Sequence, residues 1–325
     1  MLEYLREKKR NVTILGIPER ITKDNIGFMK KIKVRNYQVS LDGLEESHDS
    51  IRGEGSFART IESLRMMQEY NLPHNIMYTV HAMNYKEMFF LIDYLDKIKI
   101  STNFAFDFMV NEGNAKQNDI QMLDSKQAEW VLRKYYHKKG ELKNSGSSIT
   151  LRLKTHILNI LEYENRDAPI NYEGHPFCDG CYAGTVSLCI LTNGDVYPCR
   201  RLPIKIGNLL EDTLESIVLE NPIMHAFRCR ENYVLCHDCR FFNICRGCPA
   251  ISYSFYQDPF APYPYCFLKE SFELDIKGDN LASDNIKEQG LALLKDIHYN
   301  RLLSIGNIGS LIRNRALAKK QINGG

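Results

Sequence analysis

The residues of this chain best suited to chemistry are its ten cysteines, all of which lie within residues 178–266. Two cysteines separated by two residues can place both sulfurs on the same side of a tight turn, so such pairs suit one metal ion or cluster. The chain starts without the apolar stretch of a secretory signal, so its thiols are expected to stay reduced and to bind metal. The densest group contains Cys236, Cys239, Cys245 and Cys248.

Three interpretations of this cysteine density are open. Reduced cysteines can pack as small hydrophobic residues, which suits a lone cysteine better than a cluster of them. Paired C-x2-C units are also typical of structural zinc sites, although the five-residue gap between Cys239 and Cys245 is short for a zinc ribbon. Two four-iron clusters need eight thiolates, and ten cysteines can supply them. The sequence therefore favours iron–sulfur binding, with zinc as the alternative.

Around the cysteines, the chain changes its pattern. Its first third alternates short apolar runs with amphipathic stretches, which predicts strands and helices in a parallel sheet with right-handed crossovers. The cysteine-rich part is mostly irregular, with one predicted hairpin turning at Asn193-Gly194. Strands are expected at 12–15, 37–41, 75–80 and 104–109. Helices are expected at 23–31, 88–98, 124–138, 291–303 and 308–320. One more helix is expected to begin after Ser56, which would be its N-cap.

Charge and hydropathy exclude several classes of partner. Forty-two basic residues against forty acidic ones give a formal charge of +2, which offers no electrostatic argument for nucleic acid or a membrane surface. No run of eighteen apolar residues is present. We therefore expect a cytoplasmic protein with no nucleic-acid partner and no membrane partner.

The cysteine spacing resembles the SPASM domain of radical S-adenosylmethionine (SAM) maturases. Cys181 is followed after twelve residues by Gly194 and after four more by Cys199, and the C-x2-C-x5-C series and closing cysteine follow, with two residues instead of three before Cys248. The resemblance implies two [4Fe-4S] clusters. The ligands of the outer cluster would be Cys236, Cys239, Cys245 and Cys266. The ligands of the inner cluster would be Cys199, Cys248, Cys181 and Cys178. Cys189 is a rival for the place of Cys178, and Cys229 is expected to bind neither cluster.

A second resemblance lies in Tyr37-Gln38-Val39-Ser40-Leu41-Asp42-Gly43 and the following His48-Asp49, Arg52-Gly53 and Gly55-Ser56-Phe57. This string is similar to the fourth barrel strand and next loop of radical SAM peptide maturases. It implies that Ser40 and Asp42 lie at the carboxyl end of a strand, where such barrels keep their chemistry, with the serine near bound SAM. Asn84, after the next strand, is a similar candidate. From the residues alone, Asp42-Gly43 also fits a simple turn and Asn84 a helix N-cap.

The two resemblances together imply an α/β fold. We expect a partial parallel (β/α) radical SAM barrel at residues 1–140, a linker or helical bridge at 141–173, an irregular, cysteine-rich SPASM domain at 174–268 and a helical C-terminal tail at 269–325. The implied parental activity is modification of a ribosomally made, Cys-containing precursor peptide by a thioether or carbon–carbon cross-link, with S-adenosyl-L-methionine as cofactor in the parent family.

Two departures from the family bear on activity. No cysteine precedes Cys178, so the C-x3-C-x2-C loop of the SAM-cleaving cluster is absent from the chain, as is the Gly-Gly-Glu-Pro stretch. This predicts a fragment, a split-gene product or a degenerate copy, with a second chain as a candidate for the other barrel half. Arg200 and Arg201 replace the acidic base of sulfatase maturases, and a guanidinium cannot accept a proton. The alternatives are a peptide-recognition or electron-relay module and a zinc-stabilised scaffold.

Overall fold

The computed structural model describes residues 1–165, 180–185 and 187–268. These residues form two compact units. The first contains residues 1–165 together with Asn243–Cys245, and the second contains the remaining described residues from Gly180 onward. Cys178 and the two helices expected near the C-terminus lie outside the described residues. Within the described ranges, no helix has the length and apolar character needed to cross a bilayer.

The first unit is built on a sheet of five parallel strands in the order β1-β2-β3-β4-β5. Each strand pairs with the next one along the chain, which is the order of a barrel wall. The parallel sheet that the periodicity predicted is therefore confirmed. The strands are β1 (Thr13–Leu15), β2 (Asn36–Ser40), β3 (His74–Val80), β4 (Thr102–Phe108) and β5 (Ile149–Leu151).

Helices connect the strands of this unit. They are α1 (Leu2–Glu7), α2 (Lys23–Lys31), α3 (Glu45–Arg52), α4 (Ser56–Glu69), α5 (Glu87–Lys97), α6 (Asn114–Gln117), α7 (Ser125–Asn144) and α8 (Leu158–Glu164), with a 3₁₀ turn at Pro18–Arg20. Successive strand residues point to opposite faces, and one face is fully buried. That face carries Val39, Ile76, Tyr78, Phe104 and Phe106, all with no exposed surface. The opposite face is mostly polar, although it also carries the buried Met77 and Ala105.

Two sequence expectations differ from the structure. Ser56 is not the N-cap of α4, because Gly55 holds that position and the carboxylate of Asp49 accepts from the backbone N–H of Gly55 and of Phe57 instead. The helix expected to end near residue 138 continues to Asn144, since Leu142 remains buried beyond Gly140. β5 was not predicted, because residues 141–173 were expected to form a linker or helical bridge.

The second unit contains a small antiparallel sheet. Its strands are β6 (Cys189–Ile190), β7 (Asp195–Tyr197) and β8 (Gly207–Asn208), followed by a π-helical turn at Ser216–Glu220, α9 (Pro222–Arg228), 3₁₀ turns at Arg230–Asn232 and Cys236–Asp238, and α10 (Pro249–Tyr256). One hydrophobic cluster, formed by Val196, Ile206, Ile217 and Met224, packs against this sheet, and a further set of buried aromatic residues includes Phe227, Tyr233 and Phe260. The predicted hairpin is present, and Gly194 turns it at φ +86°.

Candidate functional site

The carboxyl ends of β2 and β3 bring the predicted residues Ser40, Asp42 and Asn84 into one region of the first unit. Ser40 ends β2, and Asp42 follows two residues later. Asn84 follows β3, and its Nδ2 donates to the Asp42 carbonyl (2.9 Å) and to the Thr79 carbonyl (3.0 Å). Its Oδ1 accepts from the backbone N–H of His81 (2.8 Å). Its side chain therefore ties two loops together and does not cap α5, whose N-cap is Lys86.

The Asp42 carboxylate is the electrostatic centre of this region. Its residue is 2% exposed. Oδ1 accepts from the backbone N–H of Thr79 at 2.7 Å, and Oδ2 accepts from Nε (2.6 Å) and Nη2 (2.5 Å) of Arg52 at the end of α3. A buried carboxylate is stable only with such partners. Asp42 is thus more than a turn residue, because it connects β2, β3 and α3.

His48 extends this network on the other side of Asp42. The backbone N–H of Asp42 donates to His48 Nδ1 (3.0 Å), so the ring proton lies on Nε2 and points to Ser56 Oγ at 3.2 Å. Burial lowers the pKa of His48, outweighing the attraction of the Asp42 charge. The imidazole is therefore neutral at physiological pH. His48 and Arg52 belong to the sequence motif that follows β2, but the motif by itself indicates no role for either residue.

His81 is the polar residue that sequence reasoning missed. It follows the last residue of β3 and is 3% exposed, and neither ring nitrogen has a hydrogen-bond partner. Burial lowers the pKa of its imidazole, against the opposing effect of Asp42 and Glu87. A neutral imidazole here leaves one donor and one acceptor unused at the carboxyl edge of the sheet. A polar residue directly after a buried strand is the signal that could have identified it.

In the second unit, one group of thiols gathers around Cys181. Burial, and then the neighbouring Cys248 thiol, raises the pKa of Cys181 to about 12, with a smaller contribution from Cys199. The guanidinium of Arg201 approaches Cys248 Sγ at 3.5 Å. These three cysteines are the ones that the resemblance assigned to the inner cluster. The fourth, Cys178, lies outside the described residues.

The short spacing before Cys248 has a local explanation. Arg246 and Gly247 both adopt left-handed conformations, at φ +55° and +64°, which turns the chain within two residues. A Cβ added at Gly247 would lie 2.7 Å from the Cβ of Tyr263, so only glycine fits at this position. Arg246 is 8% exposed and acts to lower the pKa of Cys181. The departure from the usual spacing therefore leaves Cys248 beside Cys181.

A second group of thiols gathers around Cys236. Burial, and then Cys266 and Cys239, raises the pKa of Cys236 to about 12. Cys245 is buried. A buried thiol with a raised pKa stays neutral unless a cation replaces its proton, which is the condition for a metal-bound thiolate. Cys236, Cys239 and Cys266 therefore fit three of the four thiolate positions of an iron–sulfur cluster.

Two cysteines differ from both groups. Cys229 is exposed and donates to Glu231 Oε2 at 2.9 Å, and that hydrogen bond raises its pKa. Cys189 lies on β6 opposite Tyr197. Within the described ranges, no three His, Cys, Asp or Glu side chains stand close enough together to hold a single metal ion.

The chain is similar to several known proteins. Residues 181–249 match the SPASM family, described as an iron–sulfur cluster-binding domain. The AdoMet-dependent heme synthase of Methanosarcina barkeri is 24% identical over 257 residues, covering 77% of this chain and 72% of the relative. The sporulation killing factor maturation protein SkfB of Bacillus subtilis is 25% identical over 188 residues, covering 55% of this chain and 39% of SkfB.

The fold has solved counterparts. The crystal structure of Streptococcus suis SuiB bound to S-adenosylmethionine superposes with a TM-score of 0.60 at 19% identity, covering 80% of this chain and 60% of SuiB. SuiB has also been solved with its precursor peptide SuiA. The chain thus spans less than two thirds of SuiB. The predicted resemblance is confirmed: residues 181–249 match the iron–sulfur cluster-binding SPASM domain, and the chain shares its fold with SuiB.

Proposed function

We propose that the chain holds two [4Fe-4S] clusters. The grouping of Cys181 with Cys199 and Cys248, and of Cys236 with Cys239 and Cys266, is the observation that carries the proposal. Four-iron clusters take four thiolates each. The complete proposed ligand sets are Cys178, Cys181, Cys199 and Cys248 for the inner cluster, and Cys236, Cys239, Cys245 and Cys266 for the outer one.

The chemistry that these clusters serve is proposed to be radical modification of a precursor peptide, through a thioether or a carbon–carbon cross-link. The similarity to SkfB and to the peptide-binding SuiB supports this substrate class. SAM, when bound and cleaved by its own cluster, supplies the radical in such proteins. None of residues 1–177 is a cysteine, so radical chemistry with this chain requires a further segment that supplies the ligands of that cluster. A second chain carrying the other barrel half is one source.

The residues at the carboxyl edge of the sheet are proposed to have two different roles in SAM binding. The Ser40 hydroxyl is half-buried and has no described hydrogen-bond partner, so it is the proposed direct contact to SAM. Asp42 and Asn84 have their oxygen atoms engaged by Arg52, Thr79 and His81. We assign them a positioning role, in which they hold the loops around the SAM site in place.

Iron analysis tests the cluster proposal. After anaerobic reconstitution, the chain should contain about eight iron and eight inorganic sulfide, because eight thiolates complete two four-iron clusters. Cys236→Ala and Cys266→Ala should each lose about half of the iron, since each opens one cluster. Cys229→Ala is the matched control, because its thiol is exposed and bonded to Glu231.

The outcomes separate the competing interpretations. About two zinc ions per chain without iron would support the zinc scaffold instead. Equal losses of iron across all ten cysteines would contradict the ligand sets. Comparing Cys178→Ala with Cys189→Ala decides the remaining inner ligand, and an unchanged iron content in both would remove both residues from the set.

A second candidate function is modification of a tetrapyrrole. Its support is the heme synthase similarity, which extends over 77% of this chain, whereas the SkfB similarity extends over 55%. The complete enzyme, assembled with its SAM-cluster segment, should be incubated separately with a Cys-containing precursor peptide and with an iron coproporphyrin. Mass change in only one of these substrates selects the class.

A further inference from the structure

One arginine side chain contacts a proposed ligand of the inner cluster. Arg200 and Arg201 form the corner of a tight turn, in which the Leu202 N–H donates to the Cys199 carbonyl at 3.1 Å. Leu202 is 1% exposed, and its burial fixes the turn so that Arg200 is exposed and Arg201 is half-buried. Arg201 Nη2 donates to Cys248 Sγ at 3.5 Å. The turn therefore directs one of two adjacent arginines to solvent and the other to a ligand sulfur.

A second arginine is buried next to the same thiols. Arg246 precedes Cys248 by two residues, in the left-handed turn that also contains Gly247, and it is 8% exposed. In the part of the chain that the structure describes, no carboxylate pairs with its guanidinium. Burial raises the pKa of the Cys181 thiol, and Arg246 acts in the opposite direction, as a cation near the sulfur does. A buried cation without a partner is costly, so an anion beside Cys181 and Cys248 would stabilise this arrangement.

The proposed ligands supply such an anion when they hold a cluster. Four deprotonated thiolates give a four-iron cluster a net negative charge, and reduction adds one more electron to it. A nearby positive charge, and an N–H group that donates to a ligand sulfur, therefore stabilise the reduced form more than the oxidised form. Both are among the factors that set the reduction potential of such clusters.

Arg230, which lies near the outer group of thiols, uses its donors differently. Its Nε donates to the His237 carbonyl and its Nη2 to the Cys239 carbonyl at 3.1 Å, and its guanidinium lies over the Phe242 ring at 4.8 Å. Arg230 therefore holds the backbone around Cys239, whereas Arg201 reaches a ligand sulfur directly.

We propose that Arg201 and Arg246 raise the reduction potential of the inner cluster. Arg201 does so by donating to the Cys248 sulfur, and Arg246 by placing a buried positive charge beside the inner thiolates. Both act through the ligands, and neither needs to contact SAM or the substrate. Each reduction takes up one electron, which dithionite supplies in the test, and no bond to a thiolate forms or breaks. The inference rests on the proposed function, because it requires the inner cluster.

An anaerobic redox titration of the reconstituted 325-residue chain tests the proposal. Dithionite reduces the clusters in the presence of redox mediators, and low-temperature electron paramagnetic resonance follows the reduced forms. The Cys236→Ala chain keeps the inner cluster, so its titration identifies the inner signal in the unchanged chain. Arg201→Leu should shift the inner midpoint to a lower potential and leave the outer midpoint in place. At a fixed potential, the ratio of reduced to oxidised inner cluster should fall about tenfold, as expected for the loss of one charged hydrogen bond.

Matched variants separate this local effect from a general change of charge. Arg200→Leu removes the same charge from the exposed neighbour and should leave both midpoints in place. Arg201→Lys keeps a cationic donor and should shift the inner midpoint less than Arg201→Leu does. Arg246→Gln should also lower the inner midpoint, and Arg246→Lys should lower it less. Loss of iron in both Arg246 variants would give Arg246 a structural role and overturn its part of the proposal.

Iron content distinguishes failure of this proposal from failure of the clusters. Equal shifts in Arg200→Leu and Arg201→Leu, or an unchanged inner midpoint in Arg201→Leu, would overturn the tuning. About eight iron per chain in that case would leave the clusters standing. A chain that binds no iron after reconstitution would refute the clusters and the tuning together.

Discussion

The pair formed by Asp42 and Arg52 gives a quantitative prediction about the first unit. Arg52→Met leaves the Asp42 carboxylate, whose side chain is 3% exposed, with only the Thr79 N–H as partner. Breaking a buried ion pair from one side costs about 3–5 kcal/mol. Because the Arg52 side chain is 38% exposed, we expect a value near the lower end, about 3 kcal/mol.

Asp42→Asn is expected to be milder. Its amide oxygen can still accept from Thr79, and the Arg52 guanidinium can turn to water, so the cost is about 1–2 kcal/mol from the lost charged hydrogen bonds. In the double variant the uncompensated buried charge is gone. The double variant should therefore be no less stable than Arg52→Met, which corresponds to a coupling energy of about 1–2 kcal/mol.

Urea unfolding followed by tryptophan fluorescence measures these values. Trp130 is the single tryptophan, and it packs edge-to-face on Tyr85 and Phe89 at 5.5 and 5.4 Å, so its emission reports on the first unit. The matched control is the exposed pair of Glu19 and Arg59, whose coupling should stay below about 1 kcal/mol. A coupling at Asp42–Arg52 as small as in this control, or Asp42→Asn costing more than Arg52→Met, would refute the reasoning.

Three further predictions concern pH, the thiol groups and SAM. Burial lowers the pKa of His48 and of His81, so below pH 6.5 the unfolded state takes up more protons than the folded state. The free energy of unfolding should therefore fall as the pH drops from 7 to 5. His81→Phe should make this pH dependence weaker in urea titrations at several pH values, and an unchanged pH dependence would contradict the prediction. Gly247→Ala should lower the iron content, whereas Gly113→Ala, with positive φ but open space, should not, and equal iron contents would argue against a role for the left-handed turn. The reconstituted, dithionite-reduced 325-residue chain alone should yield no 5′-deoxyadenosine from SAM above background in chromatographic assays, because clusters with four protein thiolates have no open iron site; a segment bearing C-x3-C-x2-C should restore it, and product from this chain alone would overturn the expectation.

The sequence by itself determined the features that depend on local order. Alternating apolar runs predicted the parallel sheet, and the helix at Lys23–Lys31 has the predicted bounds. The spacing of the cysteines predicted the iron–sulfur domain that the SPASM match confirms. These signals are readable because strand and helix periodicity, and the reach of a tight turn, are set by residues close together in the chain.

Only the tertiary structure decided which distant groups meet. Asp42 and Thr79 are 37 residues apart, and Cys181 and Cys248 are far apart in the chain, yet each pair interacts. The row formed by Gln38, Asn75 and Asn103 on three neighbouring strands follows from strand register, and a shift of one residue would move a strand's side chains to the other face of the sheet. His81 shows the same limit, because the sequence places it after a strand, whereas its burial and the unused state of its ring nitrogens depend on how the loops and helices around it pack.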